Sequence, residues 1–364
     1  MPTTCGNLQR TWGFSLLFGY PIEATDENWL HDCLCEMVHA VHEALDTGQA
    51  VPAWPDVIPL VHRTQLRTRA GLQQRLTVYA AAAKDLSQGE RQRVLTCLIQ
   101  QNRIADLLSC ACDCESMSDL PQSLHAPAAQ LFDFAYRLVI EIGIGDRHYK
   151  AIYAAMKYKV CPFCGCEYFD APGAPREDRD HYLAKSRYPF AAANLRNLVP
   201  MGMKCNERYK LAQDILRDAA GARRVAFDPY VEREVAVELG TSVPFAAPDG
   251  ETPAWQVAFV PDSPECETWD DIFHVRERME RDVLDTSFRR WLGEFARWFK
   301  ARGGNPAPDT TALLTALRTY TDDVKLLGLN AREFLRAPVF EMLHQHCAAG
   351  NHRLTQLMLD LVST

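Results

Sequence analysis

Apolar side chains recur at intervals of three and four residues along much of the chain, the spacing of amphipathic helices. Between Asp26 and Leu45 the stripe is Leu30, Leu34, Met37, Val38, Val41 and Leu45, with Thr25 or Asp26 as the N-cap. His31, Glu36, His39, His42 and Glu43 then read as a polar face opposite the leucines. Further helices are predicted over 65–86, 89–109 and 127–144. The last has Pro127 at its start and Leu131, Phe134, Leu138 and Ile142 on one face. Residues 107–121 read as a loop. From 269 onward the period is again helical, and Val283, Leu284, Phe288, Trp291, Leu292, Phe295, Trp298 and Phe299 make a heavy apolar face suited to a core or an interface.

The middle of the chain has a different texture. A short helix over 147–158 leads into Cys161-Pro-Phe-Cys164-Gly-Cys166. A turn-rich stretch, a candidate hairpin and a helix over 203–218 follow. The runs Glu234–Leu239 and Trp255–Val260 predict strands on either side of a Pro/Gly-rich connection. The pattern therefore predicts a mainly α protein in three parts: a helical region 1–145, a distinct segment 146–225, and 226–364 with a minor β element followed by helices.

Composition narrows the class. Of 364 residues, 47% are hydrophobic and 24% charged, which excludes a disordered chain. No apolar run approaches the roughly 20 residues of a membrane span. The run Trp12–Phe18 is short and lacks the basic flank of a signal peptide, so a soluble, cytoplasmic protein is expected. Thirteen cysteines in such a chain point to metal ligands or free thiols rather than disulfides. Cys110, Cys112 and Cys114 lack the two-residue gap of a zinc knuckle and read as a free-thiol loop. The net charge is −8, yet residues 146–224 carry 15 basic and 9 acidic residues against 24 and 38 elsewhere. A basic middle in an acidic frame suits a local phosphate-binding face.

Four elements occur in order inside that segment: Cys161-Pro-Phe-Cys164-Gly, Asp180-His181, Asn197-Leu-Val-Pro200 and Cys205-Asn206-Glu-Arg-Tyr-Lys210. A Cys-x-x-Cys turn aims two sulfurs at one tetrahedral zinc. Adjacent Asp and His on a strand point to opposite faces unless a kink brings both to one site. A carboxylate and an amide oxygen are hard ligands for Mg²⁺, and a neutral imidazole can take a proton from water. Phosphodiester hydrolysis needs a base, a cation to screen charge and a frame that holds them.

Over about 158–217 this order resembles the HNH endonucleases of the zinc-stapled bacterial branch, whose nuclease module is a ββα-metal fold. Phe227-Asp-Pro-Tyr230 and Trp269-Asp-Asp-Ile-Phe273 resemble the tail of similar proteins more faintly. The resemblance implies a general base at His181, and Asp180 and Asn206 as ligands of a catalytic Mg²⁺ or Mn²⁺. It implies that Asn197 braces the loop carrying the base. Lys210 or Arg208 would neutralise phosphate charge, and Lys185, Arg187 and Arg196 would track phosphates nearby. The implied reaction is hydrolysis of double-stranded DNA, with RNA as the alternative, to a 5′-phosphate and a 3′-hydroxyl. Implied too are a role in bacterial defence or restriction and a partner protein such as an ATPase; the helical regions on either side are expected to form a scaffold, a homo-oligomer interface or a docking surface for that partner.

One position departs from the pattern. The family's second Cys-x-x-Cys would place cysteines at 202 and 205, whereas this chain has Gly202-Met-Lys-Cys205. Cys161, Cys164 and Cys205 leave a zinc site one ligand short. Cys166, another residue or water would complete it, or the knuckle is held by packing without zinc. The competing readings are a zinc-ribbon DNA-binding or scaffold protein without turnover, and a helical interaction protein in which the knuckle is only a staple.

Overall fold

The structure, a computed structural model, describes residues 15–174, 180–305, 307–328 and 330–363. It is mainly helical, as the apolar period predicts, with a few short strands. Part of the early apolar run, residues 12–14, lies outside the described residues. Among the described residues no helix is long and apolar enough to cross a membrane.

The first helix, Trp29–Asp46, starts later than expected and is capped by neither Thr25 nor Asp26. Its N-cap is Asn28, whose amide makes no capping bond. That amide donates to Asp32 Oδ1 at 3.0 Å, and its oxygen accepts from the Leu195 amide at 2.9 Å. The supposed polar face is also corrected. His31 and His42 are buried, because helices pack on this element from several sides: Ala70–Lys84, Gln88–Gln101 and Gln122–Glu141. His42 Nε2 meets the Tyr79 hydroxyl at 2.9 Å.

The second predicted helix is split into Arg63–Leu66 and Ala70–Lys84. The third starts at Gln88 under a Ser87/Glu90 capping box and breaks at Gln101 before Ile104–Leu108. Pro127 does not start its helix. It sits inside Gln122–Glu141, and the chain then turns at Gly143 (φ 76°) into Ile144–Ala155. The Cys110–Cys114 stretch is a loop of free thiols, as expected.

Two sheets form. In one, β1 (Ser15–Phe18), β4 (Arg233–Glu238) and β5 (Ala258–Val260) pair antiparallel in the order β1-β4-β5. The later strands fall close to prediction, with Val235, Val237 and Phe259 turned inward. The first comes from the start of the chain and carries no alternation that announces it. In the other sheet, β2 (Asp180–His181) pairs antiparallel with β3 (Leu198–Val199). The expected helix 203–218 is only a π-helical turn, Cys205–Lys210, ended by Leu211 at φ 49°.

Two apolar cores flank this small element. One gathers the N-terminal helices and takes in Phe190, Ala192, Leu195 and Leu198. The other gathers the C-terminal helices and the larger sheet around Cys161, Phe163, Cys164 and Cys205. In it Phe295 packs edge-on against Tyr320, which meets Phe340 in turn. The aromatic stripe of the sequence is thus core.

Burial pushes His31 and His42 down to about 4 from the usual 6.5. The unfolded chain protonates them first, so the stability from keeping them neutral is full above 6.5 and is lost as pH falls toward 4. Each acts with a slope of up to about 1.4 kcal/mol per pH unit. His42→Gln keeps a partner for Tyr79 and removes one titration. Its urea midpoint should fall less steeply than the wild type's between pH 6.5 and 4, and parallel curves would contradict this account.

Candidate active site and cysteine knuckle

The site is built on two strands of two residues each. Asp180 pairs with Val199, and His181 with Leu198. Strands this short do not hold alone, and side-chain amides supply what the ladder lacks. The fully buried Asn197 accepts from the Leu183 amide at 2.7 Å, and donates to the carbonyls of Leu183 at 3.0 Å and Ala191 at 3.2 Å. Asn28, Gln101 and Asn102 stitch the same loop to the N-terminal helices, with Gln101 Oε1 accepting from the Phe190 amide at 3.1 Å. Asn197 thereby ties the backbone at Leu183 to that at Ala191.

This frame sets the imidazole. His181 Nε2 lies 3.0 Å from the Ala192 carbonyl, and the edge of Tyr136 packs on the ring at 4.4 Å between centroids. A carbonyl only accepts, so Nε2 carries the proton and Nδ1 keeps the lone pair. Burial, with Lys185 nearby, pushes His181 down to about 3, and the ring is neutral at pH 7.

Asp180 meets a partner the sequence placed elsewhere. Lys210 has no solvent exposure. Its ammonium lies 2.8 Å from Asp180 Oδ2 and donates to the His181 carbonyl at 2.8 Å. The contact with Oδ2 is an ion pair without hydrogen-bond alignment. Burial raises the Asp180 carboxyl to about 6, and Lys210 offsets part of that rise. The expectation that Lys210 faces phosphate is therefore corrected: it ties the turn to the strand. Asn206 lies half-buried on the same π turn, with its carbonyl accepting from Leu211 at 3.0 Å. Lys210 thus joins the Asp180 carboxylate to the His181 carbonyl, whereas the His181 imidazole and the Asn197 amide each bond other backbone groups, and Asn206 rides on the turn that Lys210 anchors.

The basic residues divide. Arg196 is mostly buried, paired with Asp228 at 2.5 Å and stacked over Tyr230, so it is a brace rather than a phosphate contact. Lys185 pairs with Asp133 at 2.6 Å but remains partly exposed beside a cleft of about 320 Å³ that borders Ala192. Arg187, 3.8 Å from Asp214, is half-exposed, and Arg208 is exposed. The faint flanking motifs also bear on the site. Tyr230 donates to the Leu198 carbonyl at 2.9 Å, and Trp269 to the Phe163 carbonyl at 3.0 Å.

The knuckle lies on the other side of the turn. The sulfurs of Cys161, Cys164 and Cys205 are buried and all within 4.8 Å of one another, a group that could hold a metal ion. The Gly202 amide donates to Cys161 Sγ at 3.2 Å, and the buried Arg278 to Cys205 Sγ at 3.3 Å. Cys166 does not join them. Its amide donates to Cys164 Sγ at 3.3 Å, while its own thiol turns to the Cys164 carbonyl at 3.1 Å. Sequence reasoning missed Arg278, 73 residues beyond Cys205, as well as Tyr136 and the Ala192 carbonyl. None belongs to a local motif, and a backbone carbonyl has no sequence signature. No family model, curated protein or solved structure matches the chain.

Lys210→Met leaves Asp180 buried and unpaired, at a cost of about 3–5 kcal/mol. The double variant Asp180→Asn/Lys210→Met should lose clearly less in chemical denaturation. Equal losses would show that the pair is not coupled.

Proposed function

We propose that this chain is a metal-dependent endonuclease of the HNH kind that hydrolyses double-stranded DNA. The observation that carries the reading is the neutral imidazole of His181, fixed in one tautomer by the Ala192 carbonyl, with Asp180 preceding it on the same short strand. The donor types suit a small hard cation. Asp180 offers Oδ2, which the Lys210 ammonium meets at 2.8 Å and a cation would have to share, and Asn206 carries an amide oxygen on the turn that Lys210 ends. Those two residues would hold Mg²⁺ or Mn²⁺, which when bound screens the phosphate charge. Cys161, Cys164 and Cys205 would hold a structural Zn²⁺ that staples the turn.

His181 Nδ1 takes a proton from water, and the water oxygen attacks phosphorus in line. The P–O3′ bond breaks and the leaving oxygen takes a proton from solvent, which gives a 3′-hydroxyl and a 5′-phosphate. The imidazolium returns its proton to bulk water. Arg187 and Arg208 are the exposed cations placed to meet the backbone. A non-cutting DNA-binding protein is the second reading, and the pairing of Asp180 with Lys210 in a buried setting favours it.

Incubation of supercoiled plasmid with Mg²⁺ or Mn²⁺ separates the two. Nicked or linear product is expected, and His181→Ala should lower its rate at least about 100-fold. The Asp180 carboxyl at about 6 adds a pH signature: at limiting Mg²⁺ the rate should fall as pH drops through 6 and recover with more Mg²⁺. DNA binding without cleavage under either ion, or cleavage unchanged by His181→Ala, would leave the second reading in its place.

A further inference from the structure

The missing cysteine leaves a geometric trace. A Cβ built on Gly202 would lie 2.3 Å from Glu167 Oε2, 2.9 Å from its Cδ and 3.1 Å from its Cβ. The volume a side chain at 202 would occupy is therefore filled by a carboxylate from the far side of the knuckle. Glu167 is held there by its own backbone, whose carbonyl accepts from the Cys161 amide at 2.8 Å. Its Oε1 is 3.4 Å from the Lys204 amide, while Oε2 is buried and has no hydrogen-bond partner. A buried carboxylate oxygen without a partner is costly unless a cation meets it. Gly202 also donates its amide to Cys161 Sγ at 3.2 Å, so this oxygen lies beside the residue that borders one of the three sulfurs, and a rotation of the Glu167 side chain is what would bring it to all three.

We propose that Glu167 is the fourth ligand of a Cys₃Glu zinc site and takes the place of the cysteine that position 202 lacks. The inference rests on reading the three cysteines as a zinc site. Carboxylate oxygen is an ordinary zinc donor at about 2.0–2.2 Å, beside thiolates at about 2.3 Å. Three thiolates and a carboxylate leave the site anionic. The Arg278 guanidinium, at 3.3 Å from Cys205 Sγ and stacked over Tyr209, supplies the compensating charge. Gly202 and Glu167 form a reciprocal pair: the glycine makes room for the carboxylate, and the carboxylate closes the shell that the glycine leaves open.

The test is X-ray absorption at the zinc edge on the purified full chain, with affinity measured by competition against a chromophoric chelator. One zinc per chain is expected, in a shell of three sulfurs and one oxygen. Glu167→Ala should weaken zinc at least about tenfold, and Glu167→Gln, which keeps the shape, should weaken it in the same direction. Glu167→Ala with Gly202→Cys should restore tight binding and change the shell to four sulfurs. Gly202→Cys alone, with Glu167 still in the way, should not. The inference is overturned if no zinc is bound, or if both Glu167 variants leave affinity and shell unchanged. It is also overturned if the native shell holds four sulfurs that fall to three in Cys166→Ser. DNA cleavage is not read in any arm, so failure here leaves the nuclease reading standing, and loss of that reading leaves this one intact.

Discussion

A lysine ammonium withdrawn entirely from water must find negative charge and carbonyl oxygen, and Lys210 finds both on one strand. It reaches Asp180 and the His181 carbonyl from the end of the turn Cys205–Lys210. Drawing that side chain inward also fits the end of the helical turn, because Leu211 leaves it with positive φ. The ion pair therefore fixes the distance between the two short pieces that form the candidate site. One piece holds the carboxylate and the imidazole. The other starts with a knuckle sulfur and carries Asn206. A buried pair of this kind contributes less to net stability than to defining one arrangement over its alternatives.

The same logic runs through the rest of the site. Two-residue strands cannot specify a register by ladder bonds, so the register comes from side chains that satisfy backbone groups completely. Asn197 uses its whole amide on the loop that carries Ala192. That loop in turn orients His181. A buried amide with every group paired has few equally good placements, and the tautomer of the imidazole follows from it.

The helical regions on either side offered no chemistry when read as sequence, yet each reaches the centre. Tyr136 from the N-terminal helices packs on His181. Arg278 from the C-terminal region meets Cys205. The small β element lies between two apolar cores and contributes side chains to both.

What could be read from the residues alone was whatever is local. Helical period marked most helices, and alternation marked β4 and β5. The spacing of Cys161, Cys164 and Cys205 named a group that the fold does gather, and Asp180, His181 and Asn197 lie on one small strand pair and the turn before it. What was not readable depends on neighbours distant in sequence. Charge gave no hint that Lys210 and Arg196 would turn inward, because burial is decided by which acid lies opposite. The helical period overran at 211, where the buried lysine closes the turn. It also exposed His31 and His42, which helices packed on several sides then covered. Gly202 looked like a lost ligand, and only the fold shows a glutamate in its volume. Periodicity reports a residue's face on its own element, whereas ligands, ion pairs and tautomers are set by what the other elements bring to that face.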